Sequence, residues 1–125
     1  MRFYIGGDNS DFDTIRKCIS RFTSLGHTVT LDWTTEDYFV LSDRNKAVKK
    51  TEAIAFSDFC VFVGKPSDNM FYEIGVGVGL LKDVYVVKTN PFIFSRTTEC
   101  LNHPSVVSVN SLEEVEKKIK EYMEE

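Results

Sequence analysis

The stretch SDFCVFVGKPSDNMFYEIG, residues 57–75, decides the fold. Phe59 to Val63 is apolar at every position, the mark of a central parallel strand covered by helices on both faces. Gly64 to Asp68 is polar and broken by glycine and proline, so the strand ends in a loop. A helix pattern then runs from about Asn69 to Leu81. In an open α/β sheet the pocket lies off the carboxyl ends of the strands. Glu73 is delivered there, in the first turns of the helix, among Met70, Phe71, Tyr72 and Ile74. A carboxylate in such apolar surroundings is either paired or functional. At this address it is placed to attack a carbon of a bound ligand, or to stabilise positive charge on it.

Outward from this stretch the chain alternates strands and helices. Met1 to Gly7 reads as a strand feeding a Gly6-Gly7 turn, whose backbone N–H groups face the expected pocket edge. Ser10 is placed to cap a helix with Ile15, Cys18, Ile19, Phe22 and Leu25 on one stripe, stopped by Gly26. Thr28 to Asp32 is β-branched and alternating, a second strand. A helix over about Asp43 to Phe56 has Ala47, Val48, Thr51, Ile54 and Ala55 as its apolar positions. Val84 to Val87 and Val106 to Val109 are the fourth and fifth strands. Asn90 to His103 between them is a mixed loop with room for one helical turn. Ser111 and Glu114 form a capping box for a last helix with Leu112, Val115, Ile119 and Tyr122 inward. The pattern predicts a single α/β domain over residues 1–125, Rossmann-like and doubly wound. Its five-stranded parallel sheet takes the flavodoxin-like order 2-1-3-4-5, with helices on both faces. The switch point between the first and third strands sets Gly6, Gly7 and Asp8 opposite the loop from Lys65 to Glu73.

Bulk properties narrow the partners. At 125 residues the chain can bury a core without staples. A net charge of −4 argues against a polymeric nucleic acid or an acidic membrane surface, and leaves room for a small nucleoside or nucleotide held by local donors. Cys18, Cys60 and Cys100 are odd in number and far apart, and no His/Cys/carboxylate spacing resembles a metal site. We therefore expect a reduced, cytoplasmic protein with no metal, no cofactor and no membrane span.

Three other readings of this fold class fail on their motifs. Gly75-Val76-Gly77-Val78-Gly79 lacks the GxGxxG pattern and lies inside a helix, where Gly75 and Gly79 would let the helix approach the sheet closely. A receiver domain needs an acid after the third strand and a lysine after the fifth. The chain has Gly64-Lys65 and Asn110-Ser111 at those places. No hydroxyl-rich loop follows the first strand, as a flavin-phosphate site of the flavodoxin kind would require.

Four pieces in order, Phe3-Tyr4-Ile5-Gly6-Gly7, Leu25-Gly26-His27-Thr28-Val29, Ser57-Asp58 and Phe71-Tyr72-Glu73-Ile74-Gly75, carry a resemblance. The chain resembles the nucleoside 2-deoxyribosyltransferase superfamily, including its branch of 2′-deoxynucleoside 5′-phosphate N-hydrolases. That resemblance implies cleavage or transfer at an N-glycosidic bond, with Glu73 as the nucleophile at C1′ and Tyr4 beside the sugar. Ser67 matches a serine on the 5′-phosphate, with Asn69 assisting. Ser95 falls where the hydrolase branch lends a serine to a neighbouring subunit, and a homodimer or higher homo-oligomer is implied. Asp58, Gly6, Gly7 and Asp8 are counted around the substrate, and Trp33, Phe92 and Phe94 are aromatics able to stack on a base.

The chain also departs from that pattern. Lys50 stands where the family has a helix aspartate that orients the nucleophile, and Asp8 and Ser10 follow the first strand where the hydrolase branch has serine and arginine. Two alternatives stay open: a nucleotide-binding protein without turnover, which Lys50 favours, and an NAD-type glycohydrolase.

Overall fold

In the computed structural model, which describes residues 1–64, 67–88 and 99–124, five parallel strands form one sheet in the order β2-β1-β3-β4-β5. The strands are β1 (Arg2–Gly6), β2 (Thr28–Val29), β3 (Phe59–Phe62), β4 (Asp83–Val87) and β5 (Val106–Val109). The helices are α1 (Phe12–Ser24), α2 (Glu36–Phe39), α3 (Asp43–Phe56), α4 (Asp68–Gly79) and α5 (Leu112–Glu124). Strand order, strand direction and the four longer helices agree with the sequence reading, whereas the short α2 was not foreseen.

Alternate strand residues feed two cores. Phe3, Ile5, Phe59, Val61 and Val63 pack with Ile15, Cys18 and Phe22 of α1 and with Val115 and Ile119 of α5. Tyr4, Cys60, Phe62, Val84 and Val86 face the other way, onto Ala53 and Ile54 of α3 and Met70 and Ile74 of α4. The period of two along each strand thus sorts the helices into an α1/α5 layer and an α3/α4 layer. Cys18 and Cys60 are free, buried thiols, and burial pushes them up to about 12 and about 11.

Gly26 ends α1 as expected. It has φ +93°, and the N–H groups of Gly26 and His27 return to the carbonyls of Thr23 and Phe22, a Schellman closure. His27 then packs edge-on against Phe59, its ring centroid 5.8 Å away, at the amino ends of the strands.

Several local expectations are corrected. Ser10 does not cap α1: it lies in a 3-10 turn (Asn9–Asp11), and Asp11 takes the N-cap position without a side-chain cap bond. The second strand is cut to Thr28–Val29. It is the edge of the sheet, and after the Thr30 N–H meets the Phe3 carbonyl the chain peels away toward the Trp33 loop. Glu114 takes the Asn110 N–H rather than that of Ser111, while the Ser111 hydroxyl accepts from the Glu114 N–H. Tyr122 is exposed, not inward. A 3-10 turn at Glu99–Asn102 is the helical turn foreseen before β5, and the loop ahead of it lies outside the described residues.

The glycines of α4 change roles. A methyl group on Gly77 would stand 3.2 Å from Val84 Cγ2, so Gly77 is the close approach of helix to sheet. Gly75 and Gly79 meet nothing within 4 Å and face outward. Met70, Ile74 and Gly77 recur at i, i+4 and i+7 and set the buried face of the helix. Gly75 and Gly79 lie off that face.

Candidate functional site

A cavity of about 510 Å³ opens between the loop after β2, α2, α3 and α4. Its walls are Trp33, Tyr38 and Phe39, then Asp43, Lys46, Ala47, Lys50, Thr51 and Ile54 of α3, and Asn69, Tyr72 and Glu73 of α4. The α3 positions recur at helical spacing and form one face. That face corrects the stripe read as core. Only Ile54 of the stripe is buried, Ala47 and Thr51 line the cavity, and Val48 and Ala55 are exposed. The helix anchors itself by Ala53 and Ile54 at one end and gives the rest of its inner face to the cavity.

Glu73 lies in the second turn of α4 and is 3% exposed. Ser67 caps the helix, its Oγ accepting the Met70 N–H at 3.2 Å. From β1, the buried Tyr4 hydroxyl donates to Glu73 Oε1. From α3, Lys50 Nζ stands 3.6 Å from the same oxygen.

Burial is the strongest influence on Glu73 and raises its pKa. The nearby Lys50 charge and the hydrogen bond from Tyr4 pull the other way, and the net direction is up. The Tyr4 phenol is pushed well above its usual range, first by burial and then by the Glu73 charge, and so stays an O–H donor. Tyr38 is pushed up to about 12, again chiefly by burial.

Two cations of α3, Lys46 and Lys50, lie over aromatic rings. Lys50 Nζ is 4.8 Å from the Trp33 ring centroid and 5.8 Å from that of Tyr38; Lys46 Nζ is 5.1 Å from Phe39 and 5.8 Å from Tyr38. Trp33, 2% exposed, is fixed by its indole N–H, which donates to the Ile5 carbonyl at 2.7 Å. Thr34 beside it is tied to Asp32 and to Arg16.

The structure therefore brings together four of the residues singled out from the sequence: Glu73, Tyr4, Trp33 and Asn69. Gly6, Gly7, Asp8 and Ser67 sit at the neighbouring strand ends and helix start, outside the described cavity lining. Gly7 has a packing role there: a Cβ on it would lie 2.8 Å from Ile15 Cδ1 and 3.1 Å from the Val63 carbonyl. Asp58 is corrected. It precedes β3 at the amino end of the sheet, opposite the pocket end, where its carboxylate accepts the Arg2 N–H at 2.7 Å and faces the guanidinium at 3.5 Å. Ser95, Phe92 and Phe94 lie outside the described residues. Tyr38, Phe39, Asp43, Lys46 and Tyr72 were missed. The signal for two of them, Asp43 and Lys46, was the α3 face that runs on to Lys50, once α3 is read as a wall and not as core. Among the described residues no group of three His, Cys, Asp or Glu side chains is set to hold a metal, and no helix is long and apolar enough to cross a membrane.

No family model matches the chain, and neither does any curated protein. A solved structure does. The CMP N-glycosidase BcmB of Clostridium botulinum aligns over 96% of this chain and 98% of its own, with a TM-score of 0.60 and 16% sequence identity. The two proteins share a fold. It is the nucleoside 2-deoxyribosyltransferase-like fold that the four sequence pieces implied.

Proposed function

We propose that this protein cleaves the N-glycosidic bond of a nucleoside or nucleoside 5′-phosphate, with Glu73 as the nucleophile. The observation that carries the reading is the buried Glu73 carboxylate, held through Oε1 by Tyr4 and Lys50 against a cavity walled by Trp33, Tyr38, Phe39 and Tyr72. Aromatic walls suit a stacked base. A carboxylate anchored through one oxygen presents the other to the sugar. Oε2 attacks C1′, the base leaves with the C1′–N bonding pair, and a glycosyl ester forms as in retaining glycoside hydrolysis. Water then hydrolyses the ester, or a second base takes the glycosyl group. The fold shared with a CMP N-glycosidase supports this class of reaction. Gly6, Gly7, Asp8, Ser67 and Asn69 are assigned to the sugar and its 5′ end, nearest the α4 amino terminus.

The test is direct. Ribo- and 2′-deoxynucleosides, their 5′-monophosphates and NAD are incubated with the protein, and free base is followed by chromatography, with Glu73→Ala as control. Base release from a nucleoside or nucleotide that disappears in Glu73→Ala supports the reading. Release that survives the substitution removes Glu73 from the role, and release of nicotinamide alone selects the NAD-type alternative. Lys50 favours a second reading, a binding protein without turnover, because a cation 3.6 Å from the nucleophile opposes positive charge developing on C1′. Binding of nucleotide by calorimetry with no base released would select it. Self-association belongs to the same proposal. The outer side of α4, with Gly75 and Gly79 unobstructed and Tyr72, Leu80 and Leu81 exposed, is the surface assigned to it, and light scattering tests it.

A further inference from the structure

We infer that Lys50 is the proton donor to the departing base, acting at the acceptor atom next to the glycosidic nitrogen: O2 of a pyrimidine or N3 of a purine. The inference rests on the N-glycosidic reading of Glu73 and extends it.

Three observations carry it. Lys50 Nζ is 3.6 Å from Glu73 Oε1, longer than the 2.7–2.9 Å of a closed charge-assisted hydrogen bond, so its N–H donors are not consumed by the carboxylate. The ammonium also lies over the rings of Trp33 and Tyr38, which hold it in the cavity without taking its protons in conventional hydrogen bonds. Those rings are themselves cavity walls, so a base stacked against them lies within the ammonium's reach. Position and chemistry then agree. An ionised aspartate at this place has only acceptor atoms, whereas a lysine has three donors.

Charge movement during the reaction gives the lysine its task. Before attack the negative charge is on Glu73 and Lys50 pairs with it. As Oε2 bonds to C1′ that charge is spent in the ester, and the C1′–N pair carries negative charge onto the base. Lys50, within reach of both, follows the charge, and a proton passes from Nζ to the base, leaving a neutral amine and a neutral free base. Water then adds its oxygen to C1′, the Glu73 carboxylate is released, and the amine takes the proton lost by the water. The cycle balances as nucleoside plus water giving free base and sugar. It also answers the objection that a cation opposes C1′, because the same cation stabilises the leaving group.

The experiment compares leaving groups. Lys50→Met and Lys50→Arg are assayed on the nucleosides and 5′-monophosphates of the common bases, and on 4-nitrophenyl riboside and 2-deoxyriboside, whose nitrophenolate departs without a proton. Assays run at a temperature where circular dichroism shows the variants folded. For Lys50→Met the expected loss of kcat is roughly hundredfold or more greater on the nucleoside or nucleotide than on the nitrophenyl glycoside. Lys50→Arg recovers part of the difference. Equal losses on both substrate types mean that Lys50 acts only through Glu73 and overturn the assignment, as does full activity of Lys50→Met on nucleosides. Wild-type protein that cleaves the nitrophenyl glycosides in a Glu73-dependent way keeps the nucleophile reading alive whatever Lys50 does. Wild-type protein that releases neither base nor nitrophenolate overturns the glycosidic reading and the lysine's role with it.

Discussion

Lys50→Met tests whether the Lys50–Glu73 pair is an electrostatic unit of the fold, independently of any substrate. At 3.6 Å and an effective dielectric near 20, a unit-charge pair is worth about 4.6 kcal/mol of attraction. Removing one partner of a buried pair costs on the order of 3–5 kcal/mol, because the other charge is left without compensation. Lys50 is 21% exposed, and methionine restores some apolar packing, so the expected cost is about 2–3 kcal/mol at pH 8. That is a large share of the roughly 5–15 kcal/mol that holds a domain together.

The cost depends on pH with a fixed sign. Burial already holds Glu73 above the ordinary carboxylate range, and loss of Lys50 raises it further. A carboxyl whose folded-state pKa is raised binds protons more tightly folded than unfolded. Its contribution is therefore most favourable below the unfolded value and is lost as pH rises through the folded one. Lys50→Met is accordingly closer to wild type at pH 5 than at pH 8, because acid favours the protonated form of Glu73 and base the charged one. Urea denaturation at both pH values measures this, and Lys50→Met/Glu73→Gln completes a double-mutant cycle. The double variant should recover most of the loss at pH 8. A destabilisation that is the same at pH 5 and pH 8, or costs that simply add in the double variant, would refute the pairing.

Other substitutions report on neighbouring parts of the site. Tyr4→Phe removes the buried hydroxyl that donates to Glu73 Oε1 and should cost about 2 kcal/mol in urea denaturation; an unchanged midpoint would show that the bond contributes nothing. Ser67→Ala deletes the α4 cap and should cost about 1 kcal/mol by the same measurement, with lower amide-exchange protection in the first turn of α4. Gly75→Ala, with nothing within 4 Å of the new methyl group, should stabilise by about 0.5–1 kcal/mol. Gly77→Ala meets Val84 at 3.2 Å and should fall below Gly75→Ala by about 1 kcal/mol; the reverse order would mean that the phase assigned to α4 is wrong.

What the chain declares about itself depends on which interaction decides each element. FCVFV reads correctly because a run buried on both faces has one common explanation, and the parallel order follows from the alternation of strands and helices. Glu73 is legible for the converse reason, since its neighbours are too apolar for an idle carboxylate. α3 misleads because Ala47, Thr51 and Ile54 make the same pattern whether the face meets a core or the wall of a cavity, and periodicity cannot tell these apart. Glycine phase in α4 is a related failure: three glycines at alternate positions allow two faces, and Met70 and Ile74 choose the one containing Gly77. Edge position shortens β2, a fact of the sheet that Thr28 to Asp32 does not carry. Asp58 attracted a ligand role by its motif, and its Arg2 partner is brought to it only by the β1–β3 pairing.

Trp33 is the chain's one tryptophan, and its placement makes the cavity self-reporting. Its indole is pinned to the backbone of β1 and shielded from bulk water, with the Lys50 ammonium 4.8 Å from the ring centre and the proposed nucleophile just beyond. All of the tryptophan emission of the protein therefore originates at one wall of the pocket. A base stacking on that wall, or a proton leaving the neighbouring amine, changes the local field on this single emitter. The molecule thus carries an intrinsic optical probe at the place where its chemistry is proposed to occur, and ligand arrival and turnover become readable in unlabelled protein.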